Sequence, residues 1–233
     1  MKKKSSIIFS LFLKFSTLIY AQHFIGNYST EFFDPSRSNR SIPVEIYYPS
    51  ISEDINTQVA FGQFPIILFG HGFLMSFSSY QNFWEEFVPR GYIIVFPRTE
   101  EGLVNDHQEF GWDLQLLVTK MQEEGVNSNS PIFGAVDNNT ALMGHSMGGG
   151  AAFLAADSLS QSGNPQLKTI IGLAPAESSS NGVSSISSAL NVNTPALILS
   201  GSQDGVTPPE NHHLPMFNNL SSSYKTFISI LGG

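Results

Sequence analysis

Continuous apolar runs recur along the chain, each closed by glycine, proline or a polar stretch. Residues 43–48 (PVEIYY) alternate in character and predict an early antiparallel strand. Residues 64–69 (FPIILF) form an unbroken run that ends in Gly70-His71-Gly72, and residues 92–96 (YIIVF) form a second, closed by Pro97. Further runs lie at 140–143 (TALM, ending in Gly144), 168–173 (KTIIGL), 195–199 (PALIL) and 225–231 (KTFISIL). Runs of this length suit strands covered on both faces of a parallel sheet. Helical patterns fall between them, at 79–88, 109–123, 147–159 and 211–220, the last interrupted by Pro215. In the second of these, Phe110, Leu114, Leu117, Val118 and Met121 repeat at helical spacing. Strands alternating with helices predict right-handed βαβ units. The expected class is α/β, a three-layer sandwich around a mostly parallel central sheet. Residues 125–139 and 178–188, rich in Asn and Ser, are expected to be loops.

Composition narrows this picture. The 233 residues suffice for one compact domain, with no internal repeat. Charged residues make up only 13%, so the surface is expected to rely on Ser, Asn and Gln rather than on ion pairs. Met1-Lys2-Lys3-Lys4 precedes an apolar stretch at 7–20 that Lys14 interrupts, and Ala21 is followed by Gln22. That is a signal-peptide layout over residues 1–21, too short and too interrupted for a good membrane span. Residues 22–233 would then be the exported domain, periplasmic or extracellular. The full chain has a net charge of −8; loss of Lys2, Lys3, Lys4 and Lys14 would take it to −12. A charge of that sign disfavours nucleic acid as a partner. Cysteine is absent, which removes disulfide and thiol chemistry.

One motif carries chemistry. Gly144-His145-Ser146-Met147-Gly148 follows a buried run and opens an Ala-rich helical pattern. A serine between strand and helix in a G-x-S-x-G turn is lifted above the sheet edge, and small neighbours let the two elements approach. Gly144, Gly148 and Gly149 supply them. The amide after the serine then points at the substrate oxygen, where the helix N-terminus adds partial positive charge. Ser146 is therefore the candidate nucleophile, and the Met147 N–H a candidate oxyanion donor. Gly70-His71-Gly72-Phe73 ends an earlier strand, and the Phe73 N–H is the candidate second donor. His71 is expected to order its loop and His145 to pack rather than transfer protons. Asp204, in the loop after the run at 195–199, is the candidate acid that would orient a histidine. An ordinary Asp-Gly turn is its alternative, and Glu177 is the alternative acid. Phe73, Met75, Phe77, Trp112 and Met147 are candidates for an apolar cleft. No metal or organic cofactor is implied.

The base is missing from this pattern. After Asp204 the chain offers only His212 and His213, which precede the last predicted strand, and the sequence stops at Gly232-Gly233. The expectation is a chain truncated before its catalytic histidine and last helix, the base lying beyond Gly233; recruitment of His212 or His213 is the alternative.

Taken together, the elbow at 144–149, residues 34–49, the stretch from Asp204 through Pro208 to His212 and Pro215-Met216-Phe217, and the closing strand resemble the α/β hydrolases. The likeness is to the cutinase-like and polyester-hydrolase-like branch and to the neighbouring chlorophyllase-like and platelet-activating-factor acetylhydrolase-like enzymes. His71-Gly72-Phe73 is nearer to the second group, whose acid sits closer to Glu177. The resemblance implies a monomeric serine hydrolase of small or polymeric carboxylic esters, with no large lid. An amidase or peptidase on the same fold, and a hydrolase-fold binding protein without turnover, are the competing expectations.

Overall fold

A computed structural model of the chain describes residues 22–178 and 182–233. The signal-peptide expectation for residues 1–21 lies outside them. Among the described residues the strands are β1 (Phe24–Asp34), β2 (Arg40–Ser50), β3 (Asp54–Ile55), β4 (Phe64–Gly70), β5 (Ile93–Pro97), β6 (Val136–His145), β7 (Leu167–Leu173), β8 (Ala196–Gly201) and β9 (Lys225–Ile230). The helices are α1 (Gln81–Phe87), α2 (His107–Val126), α3 (Met147–Gln161), α4 (Ser185–Ser188) and α5 (His213–Asn219). One sheet runs β3-β1-β2-β5-β4-β6-β7-β8-β9. β1 and β2 form an antiparallel hairpin, β2 joins β5 antiparallel, and β5, β4, β6, β7, β8 and β9 run parallel to one another. This is the three-layer α/β-hydrolase architecture.

The continuous apolar runs arise because alternate side chains enter two different cores. Ile66 and Leu68 of β4, with Ile93 and Val95 of β5, pack beneath Phe110, Leu114 and Leu117 of α2 and the alanines of α3. Ile67, Phe69, Ile94 and Phe96 face the other way, toward Tyr80, Val88 and the aromatic side of α1. α2 and α3 approach closely at Gly111, where a Cβ would lie 3.0 Å from Leu154 Cβ.

Three elements differ from the pattern expected. β1 was not among the expected runs: it buries only alternate positions such as Tyr28 and Phe32, and polar residues interrupt the apolar ones between them. β6 starts at Val136, ahead of its apolar run, because Val136 pairs with Phe64 across a register shift; the loop at 125–139 is shorter for it. The segment at 178–188, expected as a surface loop, carries the short α4, capped by the Ser184 side chain, and buries Ser178 and Ser185. Pro215 falls in the first turn of α5, where its missing N–H costs no helical hydrogen bond.

The hairpin is fastened to α2 by charge. Asp113, fully buried on α2, receives Arg37 Nη2 at 2.6 Å and Arg40 through Nε at 3.0 Å and Nη2 at 2.9 Å. Arg37 also pairs with Asp34 (2.6 Å) and Glu109 (2.7 Å), and Arg40 with Glu100 (2.6 Å). Two arginines and four carboxylates thus form one connected network at this seam. Asp113→Ala would remove the carboxylate the two guanidinium groups share while Asp34, Glu109 and Glu100 remain as partners, and is expected to lower the unfolding free energy by about 1–3 kcal/mol, read from the midpoint of a urea titration.

Candidate active site

β6 ends at His145 and α3 begins at Met147, so Ser146 alone makes the turn. Its backbone lies at φ 51, ψ −117, a region L-residues rarely enter. Three hydrogen bonds hold it there: the Ser146 N–H donates to the Leu173 carbonyl (3.0 Å), and the Ser146 carbonyl accepts from Gly150 N–H (3.0 Å) and Ala176 N–H (2.8 Å). The glycines around it are steric requirements. A Cβ on Gly144 would sit 2.2 Å from the Gly148 carbonyl oxygen, and one on Gly148 would sit 2.2 Å from the carbonyl carbon and oxygen of Gly70. Gly150 belongs to the set as well, since its Cβ would fall 2.1 Å from the Ala176 oxygen.

The loop after β4 is pinned against this turn. The Gly148 N–H donates to the His71 carbonyl (3.0 Å). The His71 ring is buried, with Nδ1 2.9 Å from the Gly72 oxygen, Nε2 2.8 Å from the Thr99 oxygen, and its plane against Phe110. It orders the loop, as expected. The Gly72 N–H donates to the Tyr80 hydroxyl (2.7 Å), which also lies 2.9 Å from His145 Nδ1 and 3.1 Å from Met75 Sδ. Phe73 is half exposed at the crest, and Leu74 takes a left-handed turn at φ 56. The Met147 side chain is buried in the core, so what it offers outward is its backbone. At the first position of α3 its N–H has no intrahelical acceptor.

Asp204 follows β8 on the same side of the sheet, at the carboxyl ends of the parallel strands. Its Oδ1 accepts the N–H groups of Val206 and Thr207 (both 2.9 Å), and its Oδ2 accepts the Thr207 hydroxyl (2.7 Å). The same hydroxyl reaches the Ala174 oxygen (3.3 Å). Burial pushes the carboxyl upward in pKa, but these hydrogen bonds and the nearby His213 outweigh it and hold the group below the ordinary aspartate value. Ser146, the Phe73 loop and Asp204 are therefore gathered at the ends of β6, β4 and β8. Glu177 is engaged otherwise: its carboxylate accepts the Ile186 N–H (2.7 Å), and its own N–H donates to His212 Nδ1 (2.8 Å). His213 is fully buried with Nδ1 2.8 Å from Ser200 Oγ, and burial lowers its pKa against the opposing pull of Asp204.

The sequence profile of the PET hydrolase-like (PETase) family matches residues 19–233. The chain belongs to the PET hydrolase-like family. By family it is an ester hydrolase of the α/β-hydrolase type, related to cutinases. No individual curated protein matches it. The match selects the polyester-hydrolase branch of the two that the motifs resemble. The histidine in His71-Gly72-Phe73, which leaned toward the other branch, has its ring engaged by its own loop and by Thr99.

The PET hydrolase-like site differs from the expected cleft in its aromatic lining. Trp112 lies under Arg37 in a groove of about 480 Å³ that also takes in Leu159, Ser162 and Asn164. That is the far end of α3, roughly 20 Å from Ser146 by helical rise. Phe77 packs into the aromatic cluster with Trp84 and Phe96. A smaller hollow of about 210 Å³ does adjoin the elbow, lined by His145, Leu173, Ala174, Leu199, Ser200 and Ile230. Two ties had no motif to announce them. One is the Tyr80 hydroxyl. The other is His107 Nδ1 against the Ser178 hydroxyl, which joins the start of α2 to the loop after β7.

Gly148→Ala must force α3 away from β4, and is expected to cost at least ~3 kcal/mol, a fall of roughly 6–12 °C in Tm by calorimetry. Because the folded pKa of Asp204 lies below its unfolded value, the stability it contributes is complete above the ordinary aspartate range. That contribution is lost as pH falls through the lowered value. Carboxyl carbon NMR is expected to show Asp204 titrating below that range, and Asp204→Ala to flatten that part of the acid-unfolding curve.

Proposed function

We propose that this protein is an exported serine esterase that cleaves carboxylic esters of bulky or polymeric substrates through an acyl-enzyme on Ser146. The reading is carried by one observation: a serine in a strained turn, where the first amide of α3 and the loop after β4 converge. In the proposed reaction Ser146 Oγ attacks the ester carbonyl carbon as its proton passes to a histidine. The carbonyl oxygen becomes an oxyanion facing the N–H groups of Met147 and Phe73. Collapse expels the alcohol with that proton and leaves the acyl-serine, which water then cleaves by the same path. Donors aimed at a developing oxyanion are commonly the largest single contribution to such catalysis.

Asp204 is the acid in this proposal. Its three donors fix the carboxylate before any substrate arrives, and its lowered pKa keeps it charged to orient and stabilise an imidazolium. The turn at Gly232-Gly233 packs against the Asp204 loop. There the Gly233 oxygen accepts the Gln203 N–H (2.6 Å), and the Gly232 N–H donates to Ser202 Oγ. The rim supports a large substrate: Phe73, Leu74 and Val206 stand exposed around the strand ends. Export rests on the leader pattern of residues 1–21. No helix among the described residues is long and apolar enough to cross a membrane.

A second reading, a binding protein on a hydrolase scaffold, is favoured by one observation. The rings of His71, His145, His212 and His213 are each engaged away from Ser146. Labelling of the full-length protein with a fluorophosphonate separates the two readings. The esterase reading expects one adduct, mapped by mass spectrometry to Ser146, and p-nitrophenyl butyrate hydrolysis that Ser146→Ala lowers by roughly 10⁶ in kcat. An unlabelled Ser146 would establish the binding reading instead.

A further inference from the structure

Tyr80 stands outside every motif, yet its hydroxyl sits between the two segments that carry the proposed oxyanion donors. It lies in a 3-10 turn at Phe77–Tyr80, ahead of α1, and is 5% exposed. Its ring is fixed by Phe69 at 4.6 Å, Phe83 at 6.2 Å and Phe96 at 6.5 Å between centroids. The oxygen at the end of that ring meets Gly72 N at 2.7 Å and His145 Nδ1 at 2.9 Å. Gly72 immediately precedes Phe73, and His145 immediately precedes Ser146.

Counting protons sets the direction of each bond. The Gly72 amide has only a hydrogen to offer, so it donates to the phenol oxygen. The phenol has one hydrogen left to place, and its acceptors in reach are His145 Nδ1 and Met75 Sδ at 3.1 Å. An imidazole nitrogen lone pair is much the stronger acceptor. His145 is then neutral with its proton on Nε2. Burial of His145 lowers its pKa and agrees with this, while the charge of Asp204, the other group that bears on it, pulls the opposite way.

We infer that Tyr80 is a positioning residue: its hydroxyl braces the loop after β4 against the nucleophile turn and sets the spacing between the Phe73 and Met147 amides. The inference rests on the acyl-transfer reading of Ser146. The space around Gly72 shows how tightly the brace is set, since a Cβ there would fall 2.9 Å from His145 Nδ1, 3.0 Å from Met75 Sδ and 3.2 Å from the Tyr80 oxygen. The loop's other tie, Gly148 N–H to the His71 carbonyl, lies behind the crest. The half-exposed, left-handed turn at Phe73-Leu74 follows directly after both ties.

Tyr80→Phe keeps the ring and removes one oxygen. The test is the rate at which a fluorophosphonate modifies Ser146 in the full-length protein, with the maximal inactivation rate separated from probe binding. The variant is expected to lose roughly tenfold in the maximal rate with probe affinity unchanged, less than the 10²–10³ of losing a whole oxyanion donor. His145→Leu removes the acceptor instead and is expected to match it, so the comparison survives if one variant fails to fold. Long-range proton–nitrogen NMR supplies a readout that packing alone would not move. In the unsubstituted protein His145 is expected to carry its proton on Nε2, and in Tyr80→Phe the Gly72 amide is expected to exchange faster. Equal inactivation rates, or a proton found on His145 Nδ1, overturn the inference and leave the esterase reading standing. A wild-type Ser146 that the probe never modifies overturns both.

Discussion

Gly70 and Gly148 meet backbone against backbone, and the architecture of the site depends on that contact. With no Cβ on either side, α3 begins close enough to β4 for the Gly148 amide to reach the His71 carbonyl. The turn between β6 and α3 is then so short that Ser146 must take a backbone conformation costing about 1–3 kcal/mol. The hydrogen bonds to Leu173, Gly150 and Ala176 offset this, and each comes from a different piece of the fold: a neighbouring strand, the helix itself, and the loop after β7. The strain is held by the whole set.

The same site is connected to charge at the opposite edge of the sheet. Asp113 draws Arg37 and Arg40, and with them the β1–β2 hairpin, onto α2. α2 places Phe110 against the ring of His71 at 4.7 Å. His71 in turn presents its carbonyl to Gly148. A continuous series of contacts runs from the hairpin to the turn at Ser146, so the antiparallel edge shares in positioning a turn that lies among the parallel strands.

How much of this was legible in the sequence followed from what each residue's neighbours demand. β4 and β5 were plain because both their faces are buried, which writes unbroken apolar runs; β9 writes such a run as well, although most of its residues are exposed. β1 was not, since half its positions face outward and read as loop. The turn at Ser146 announced itself because close approach tolerates only glycine, although Gly150 looks like an ordinary member of an Ala-rich helix. Ser146, Phe73, Met147 and Asp204 each follow the carboxyl end of a parallel strand, whereas the Glu177 carboxylate accepts the Ile186 N–H. Trp112 and Phe77 suggest a cleft by their aromatic character alone; the direction a ring faces is set by packing that no local pattern records. Tyr80 was invisible for a different reason. Its partners are eight and sixty-five residues away, and a single hydroxyl linking distant segments leaves no periodicity to find.

The clamp of Arg37, Arg40 and Asp113 also bears on how the protein meets dissolved salt. Its contacts, 2.6 to 3.0 Å long and largely buried, are short against a Debye length of about 8–10 Å near physiological ionic strength. Added ions scarcely reach them. The excess negative charge of the chain, −8 in all, lies mostly on surface carboxylates whose mutual repulsion the same ions do relieve. With two arginines and four carboxylates drawn together in this seam and further anionic charge outside it, salt leaves the clamp's attraction largely in place while it weakens the repulsion across the surface.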